Sequence, residues 1–169
     1  TSLQSTILFY EVLYDNTNEV NDLISIYNNG NSFTEVQQKA GYFSVGRYGN
    51  ENDYNSLYSL YPQVTDKTQG NDILLGLSVV QDLHLCNVTL TLFDDTFELS
   101  DRLSYARNML AYNPYCRNLA WDYVRVTGYQ LMNEQGASGS TAFLNSFAGL
   151  LSSETYLNEA LTFLTDMKL

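Results

Sequence analysis

The chain has 169 residues, of which 44% are hydrophobic, and its 8 basic and 19 acidic residues give a net charge of −11. A single domain of this length can bury roughly 70% of the surface that its unfolded chain exposes. No apolar run approaches the ~20 residues that a membrane-spanning helix needs. Because the basic residues are scattered singly, the charge pattern of a nucleic-acid-binding surface is missing, and we expect no nucleic-acid partner.

The first half of the sequence predicts four short amphipathic helices. Their expected N-terminal caps are Thr17 for the second helix, Ser32 with Glu35 for the third, and Asn50 or Asn52 for the fourth. Apolar residues at three- and four-residue spacing predict the buried faces. In chain order these are Leu3, Ile7, Tyr10 and Tyr14; Val20, Leu23, Ile24 and Tyr27; Val36, Ala40 and Phe43; and Tyr54, Leu57, Tyr58 and Tyr61.

The second half continues in the same way, with caps expected at Thr65-Asp66, at Asp82 and at Ser100-Asp101. The β-branched run 88–93 would suit a strand, but it lies inside a longer helical pattern, so we predict helix. Two last helices should follow the glycine-containing loop 136–139. Their apolar positions are Phe143, Phe147, Leu150 and Leu151, then Leu157, Ala160, Leu161 and Leu164.

Asn113 and Pro114 indicate the start of another helix. Asparagine is a strong N-cap, and proline at the first helical position loses only an amide that would lack an intrahelical partner anyway. Cys116, Leu119, Ala120, Tyr123 and Val124 then form the inward face, which Trp121 widens.

About ten helices with short connections predict an all-α fold in a single domain, residues 1–169. Helix pairs recur roughly every 30–40 residues, the scale of helix-hairpin repeats, so we favour antiparallel pairs stacked as an α-solenoid. A closed bundle is the alternative, although ten short helices exceed what a simple bundle uses.

Catalytic motifs are missing from this sequence. His84 is the single histidine, which excludes an H-E-x-x-H zinc site within the chain and leaves one residue for any histidine-dependent nucleophile. The adjacent carboxylates Asp94 and Asp95 are typical of a solvated helix end. The sequence therefore predicts no catalytic, metal or cofactor site, while its 14 tyrosines could serve as core or line a binding groove.

Cys86 and Cys116 are too far apart for a C-x-x-C motif, and they could be two buried thiols or one disulfide. Asn87 begins an N-x-T sequence, a glycosylation acceptor if the chain enters the secretory pathway. We therefore expect an extracellular or cell-surface origin for the parent protein.

The segment Asn113–Val124, NPYCRNLAWDYV, resembles the N-P-x-G-R-x-x-A-W-D-F motif in the C-terminal helical domain of the M1 zinc aminopeptidases. Four other stretches are similar to that domain in their order. They are the segment 46–58, the leucine-rich run 72–78, Asp82-Leu83 and Ser100-Asp101. Cys116 replaces the glycine of the motif, and Leu99–Arg102 keeps little of the family's R-x-Q-D. The matching positions, all structural rather than catalytic in the family, are Asn113, Pro114, Arg117, Ala120, Trp121 and Asp122.

The resemblance implies an incomplete HEAT-like superhelix that acts as a noncatalytic lid and scaffold. Zinc and the catalytic groups would belong to upstream domains, so the expected partners are the catalytic domain of the same polypeptide and, in the parent, a peptide substrate. The alternative is a protein- or peptide-binding solenoid from a homologue that has lost catalysis. Since the chain begins at Thr1 within an apparent helix, we expect a piece of a longer protein, which could self-associate through its terminal helices.

Overall fold

The computed structural model describes residues 2–127, 130, 147, 158–162 and 165, apart from the side chains of residues 92–96 and 99. Within that part of the chain the regular structure consists of α-helices and one 3-10 turn, without any β-strand. The predicted all-α fold class is therefore confirmed. None of the described helices is long and apolar enough to cross a membrane.

The chain divides into two compact units, Thr1–Val88 and Thr89–Leu169. The single domain expected from the sequence stays a prediction. The helices, in chain order, are α1 (Ser2–Leu13), α2 (Thr17–Asn28), α3 (Gln38–Tyr48), α4 (Glu51–Leu60), the 3-10 turn Tyr61–Gln63, α5 (Lys67–Ser78), α6 (Leu83–Thr96) and α7 (Leu99–Tyr112). Residues 117–127 are also helical and are called α8. The last two predicted helices lie mostly outside the described residues.

Three of the predicted caps are confirmed. The Asn50 side chain accepts the backbone N–H groups of residues 52 and 53, and the Asp53 side chain completes a capping box at the start of α4. Asp66 accepts the amide of Gln69 at 2.7 Å, and Asp82 accepts that of Leu85 at 3.0 Å. The run 88–93 is helical, as predicted, because it lies inside α6.

The caps predicted at Thr17, at Ser32 with Glu35 and at Ser100-Asp101 are wrong by a few residues. Asn16, not Thr17, is the N-cap of α2, and Glu98, not Ser100, is that of α7. In the connection before α3, the capping interaction predicted for Ser32 and Glu35 is replaced by one between Thr34 and Gln37, two residues further along the chain. The amide and hydroxyl of Thr34 both donate to Gln37 Oε1, at 3.1 and 2.9 Å, and the helix starts only at Gln38.

Helix α3 is the centre of the first unit and packs against α1, α2, α4 and α5. Its contact with α5 brings the two backbones together at glycines. A Cβ atom at Gly46 would overlap the carbonyl oxygen of Gly76, and one at Gly76 would overlap the carbonyl oxygen of Tyr42. The helices pack this closely only because neither glycine carries a side chain. Around the contact, Phe43, Val45, Ile73, Leu74 and Leu77 are buried.

Helix α1 buries a different face from the one that its spacing predicts. Phe9 and Val12 are buried, and Phe9 packs edge-on against Phe43 of α3 with the Lys39 ammonium 4.2 Å from its ring centre. The predicted core face is exposed instead: the exposed fractions are 69% for Leu3, 50% for Ile7, 51% for Tyr10 and 79% for Tyr14.

Replacing Gly46 or Gly76 by alanine should destabilise the protein by about 2–3 kcal/mol, because the added methyl must push α3 and α5 apart. Gly70→Ala is the matched control on α5. Its Cβ would meet a single ring carbon of Tyr61 at 3.7 Å, so the better helix propensity of alanine should raise stability by about 0.5–1 kcal/mol. Urea unfolding of the three variants measures both effects. Equal, small changes for all three would contradict a close helix contact.

Candidate functional site

A cavity of about 460 Å³ lies inside the first unit, between the end of α2, the loop that follows it, and the facing sides of α3, α4 and α5. The cavity is open to solvent on one side. We call it the amide cavity, because most of its lining residues carry a side-chain amide or hydroxyl group. It is lined by Tyr27, Gly30, Asn31, Ser32, Phe33, Gln38, Tyr42, Ser56, Ser59, Leu60, Gln63 and Gln69.

Phe33 holds the loop side of the cavity in place. Its ring is buried, stacks on Tyr27 with the centroids 6.0 Å apart, and meets Tyr42 edge-on at 5.2 Å. The ring also covers Gly41 of α3, where a Cβ would collide with it. Gly30 turns the chain out of α2 with φ +72°, a conformation that glycine adopts without strain. These contacts give the loop a defined conformation beside α3.

Hydrogen bonds between elements set the positions of the polar wall groups. The Gln69 amide of α5 donates to the Tyr42 hydroxyl of α3 at 2.8 Å, and the Tyr27 hydroxyl of α2 donates to Ser56 of α4 at 2.9 Å. Gln63 is held by a bond from its amide to the carbonyl of Ser59, at 2.6 Å. The amide and hydroxyl groups in these bonds each keep a further donor or acceptor site, and that site can face the cavity.

None of the described residues that line the cavity carries a charged side chain. Burial raises the pKa of the Tyr27 hydroxyl above its usual value of 10, although the bond to Ser56 opposes this, so the hydroxyl stays neutral at physiological pH. A wall of neutral donors and acceptors can recognise a neutral polar ligand. Binding of such a ligand is a chemistry that this wall can support.

One turn beyond Gln69 on α5, Asp72 is a partly buried carboxylate. Burial raises its pKa from 3.8 to about 6, with a further contribution from the charge of Asp66, while the Lys39 ammonium opposes the rise. Asp72 is therefore ionised at pH 7 at a cost in folding free energy.

The predicted motif residues lie in the second unit, where their roles are structural. The Asn113 side chain accepts the backbone N–H groups of Tyr115 and Cys116 at 3.1 and 3.2 Å, and the regular α-helix begins at Arg117. Pro114 therefore lies in a capped turn before α8. The Arg117 guanidinium donates to the carbonyl of Leu110 at the end of α7, which stabilises a helix C-terminus.

Ala120 and Trp121 are buried in the second unit, with exposed fractions of 0% and 2%. The indole N–H of Trp121 donates to the Glu159 carboxylate, so its one polar atom is satisfied. Asp122 lies on the exposed side of α8 and pairs with Arg125 one turn later.

The remaining predicted residues are not part of the amide cavity. Cys86 and Cys116 are both fully buried, and both are disulfide-bonded. Asn87 and His84 are exposed on α6. Among the described residues, no group of three or more histidine, cysteine, aspartate and glutamate side chains could hold a metal ion.

The amide cavity was not predicted from the sequence. The tyrosines were expected to serve as core or to line a groove: Tyr54 is a core residue, and the cavity lining does not include Tyr54, Tyr58 or Tyr61. The signal that could have shown it is the uncharged polar stripe of Ser56, Ser59 and Gln63, which recurs at helical spacing around α4.

No protein-family model matches the chain, and no curated protein matches it.

Asp72→Asn should stabilise the protein at neutral pH. Because the pKa of this carboxyl is higher in the folded state, its contribution to the free energy of unfolding is fully present below the unfolded pKa of 3.8. That contribution is lost as the pH rises through about 6. The shift corresponds to at most ~3 kcal/mol, and solvent screening of this partly exposed group reduces the expected gain to about 1 kcal/mol at pH 7.5.

Unfolding by urea at pH 4 and pH 7.5 measures the gain from Asp72→Asn, which should shrink towards zero at the lower pH. Asp22→Asn, on the exposed surface of α2, removes the same charge from the net −11 and is the matched control. An equal gain from both variants would show that net charge, and not the burial of Asp72, is responsible.

Trp121→Ala should destabilise the protein by roughly 3–5 kcal/mol, because it removes a fully packed aromatic side chain. Trp121→Phe keeps most of the ring and should cost less. Since Trp121 is the single tryptophan of the chain, its fluorescence maximum reports directly on the site and should lie well to the blue of free tryptophan. A maximum like that of free tryptophan in the folded protein would contradict burial.

Proposed function

We propose that this chain is a noncatalytic helical domain of an M1-type aminopeptidase-like protein, in which it acts as a scaffold and lid for a catalytic domain of the same polypeptide. The observation that carries the proposal is the segment Asn113–Val124. In this segment Asn113 caps a turn, Arg117 donates a hydrogen bond to the end of α7, and Trp121 is buried, as expected of a structural motif. Zinc and the catalytic groups would come from the parent's other domains.

The packing of the first unit supports the finer proposal of a HEAT-like solenoid. Its main contacts join consecutive helices, and they also join α1 with α3 and α3 with α5. Each helix therefore packs on helices one or two places along the chain, which is the local pattern that solenoids repeat. The odd-numbered helices would form one layer of such a superhelix.

The disulfide-bonded state of Cys86 and Cys116 supports an origin in the secretory pathway, because disulfides persist in oxidising compartments. The exposed position of Asn87 would leave the glycosylation acceptor accessible there. We propose an extracellular or cell-surface location for the parent on these two grounds.

A second candidate function is peptide or protein binding by a homologue without catalytic activity. The amide cavity favours it, since a solvent-open cavity with neutral donors and acceptors is a binding feature that a pure scaffold does not need. The exposed stripe Leu3, Ile7, Tyr10 and Tyr14 on α1 is the surface through which we propose self-association or contact with a neighbouring helix.

The coding sequence of the parent protein separates the two functions. An upstream H-E-x-x-H followed by a glutamate ligand would support the aminopeptidase, whereas the same region with these positions substituted would support the binding homologue. A parent without any aminopeptidase-like region upstream would reject the first proposal.

The isolated chain should bind no stoichiometric zinc and should release no amino acid from aminoacyl reporter substrates, because one histidine and two disulfide-bonded cysteines do not make a conventional catalytic zinc site. Metal analysis of the purified chain and a fluorogenic aminopeptidase assay measure this, with an active zinc aminopeptidase as the positive control. Turnover that persists through purification and disappears with a chelator would overturn the prediction.

A further inference from the structure

We propose that the amide cavity binds the main chain of a short, uncharged, internal segment of a peptide. The inference rests on the binding function proposed above and gives it a site and a ligand class. Among the lining residues, the recognition elements are Ser32 and Phe33 of the loop, through their backbone groups, and Gln38 and Gln69, through their side-chain amides.

The loop after α2 has backbone groups that are free to bind a ligand. The amides of Gly30 and Asn31 close back on the carbonyls of Tyr27 and Ile26 at the end of α2. Beyond this turn, the N–H and C=O groups of Ser32 and Phe33 make no hydrogen bond with the part of the chain that the structure describes. Ser32 is exposed and Phe33 is buried, and an extended peptide can supply paired N–H and C=O groups at matching intervals to these backbone groups.

The same loop is already fixed in its conformation. The Phe33 ring is held by Tyr27, Tyr42 and the surface of Gly41, so the backbone groups beside it point in fixed directions. A ligand that binds there does not have to order the loop, which lowers the entropic cost of binding.

The side chains of Gln38, Tyr42 and Gln69 add further hydrogen-bonding capacity to the cavity wall. The side-chain amide of Gln38 is partly exposed and has no partner among the described residues. Tyr42 accepts from Gln69, which leaves the Tyr42 hydroxyl proton and the Gln69 carbonyl oxygen unused. A side-chain amide offers one donor and one acceptor edge, the arrangement that pairs with a peptide group.

The charge of the wall restricts the ligand further. In the part of the chain that the structure describes, no cationic or anionic side chain lines the cavity, so a free carboxylate, a free amine or a charged side chain would lose hydration there without gaining a partner. The occupant is therefore an internal peptide segment with small or neutral polar side chains. A partly open site of this size with neutral hydrogen bonds should bind with a Kd of about 10 µM to 1 mM.

The test uses the full 169-residue chain, labelled with ¹⁵N, and a hexapeptide of alternating serine and glutamine with acetylated and amidated ends. In an NMR titration, the backbone amide signals of Ser32 and Phe33 and the side-chain NH₂ signals of Gln38 should shift together with one Kd. Gln38→Met should weaken binding about fivefold, the effect of one lost hydrogen bond. Gln81→Met, an exposed glutamine outside the cavity, is the matched control and should leave the Kd unchanged.

Three results would overturn the inference. The first is tighter binding of a hexapeptide that has free, charged ends and lysine at alternate positions. The second is a neutral monosaccharide that shifts the cavity signals while the neutral peptide does not. The third is a neutral peptide that shifts signals only outside the cavity. In the last case the chain still binds peptide and the proposed binding function survives, whereas no shift anywhere at 10 mM peptide, well above the expected Kd, rejects both. If Gln38→Met fails to fold, the Ser32 and Phe33 signals of the unmodified chain still decide the question.

Discussion

The close contact between α3 and α5 is the constraint on which the first unit depends. Helices usually pack 8–10 Å apart because their side chains fill the space between them, but Gly46 and Gly76 let backbone approach backbone here. The short separation brings the apolar faces of both helices into one core. Helix α3 is then buried along most of its length and serves as the surface on which α1, α2 and α4 pack. A larger residue at either glycine would disturb each of these contacts.

The same contact fixes the amide cavity. Tyr42 meets Gly76 through its carbonyl and Gln69 through its hydroxyl, so one residue of α3 both sets the distance to α5 and positions a polar group of the wall. Such a cavity is difficult to find in a sequence. Its lining residues come from separate helices and a loop, and seven of the twelve are serine, glutamine or asparagine, which individually suggest only solvent exposure. Only the polar stripe on α4 carried a local signal.

The parts of the fold that depend on local interactions could be predicted from the sequence. Asn50, Asp66 and Asp82 cap helices through bonds that span two or three residues, and Asn113 caps its turn in the same way. The orientation of α1 could not be predicted in this way, because both of its faces carry apolar residues. Phe9 is buried instead of Tyr10 because Phe43 and Lys39 of α3 lie beside it, and this contact joins residues more than 25 positions apart.

Amide hydrogen exchange tests the central role of the α3–α5 contact most directly. Exchange rates follow the free energy of local opening, so a helix that opens only when the whole unit unfolds exchanges slowest. The backbone amides of residues 41–47 and 73–78 should be the slowest in the first unit, with similar rates in the two helices because each protects the other. If these amides exchanged as fast as those of α1, or if α3 and α5 exchanged at widely different rates, the contact could not be what holds the unit together.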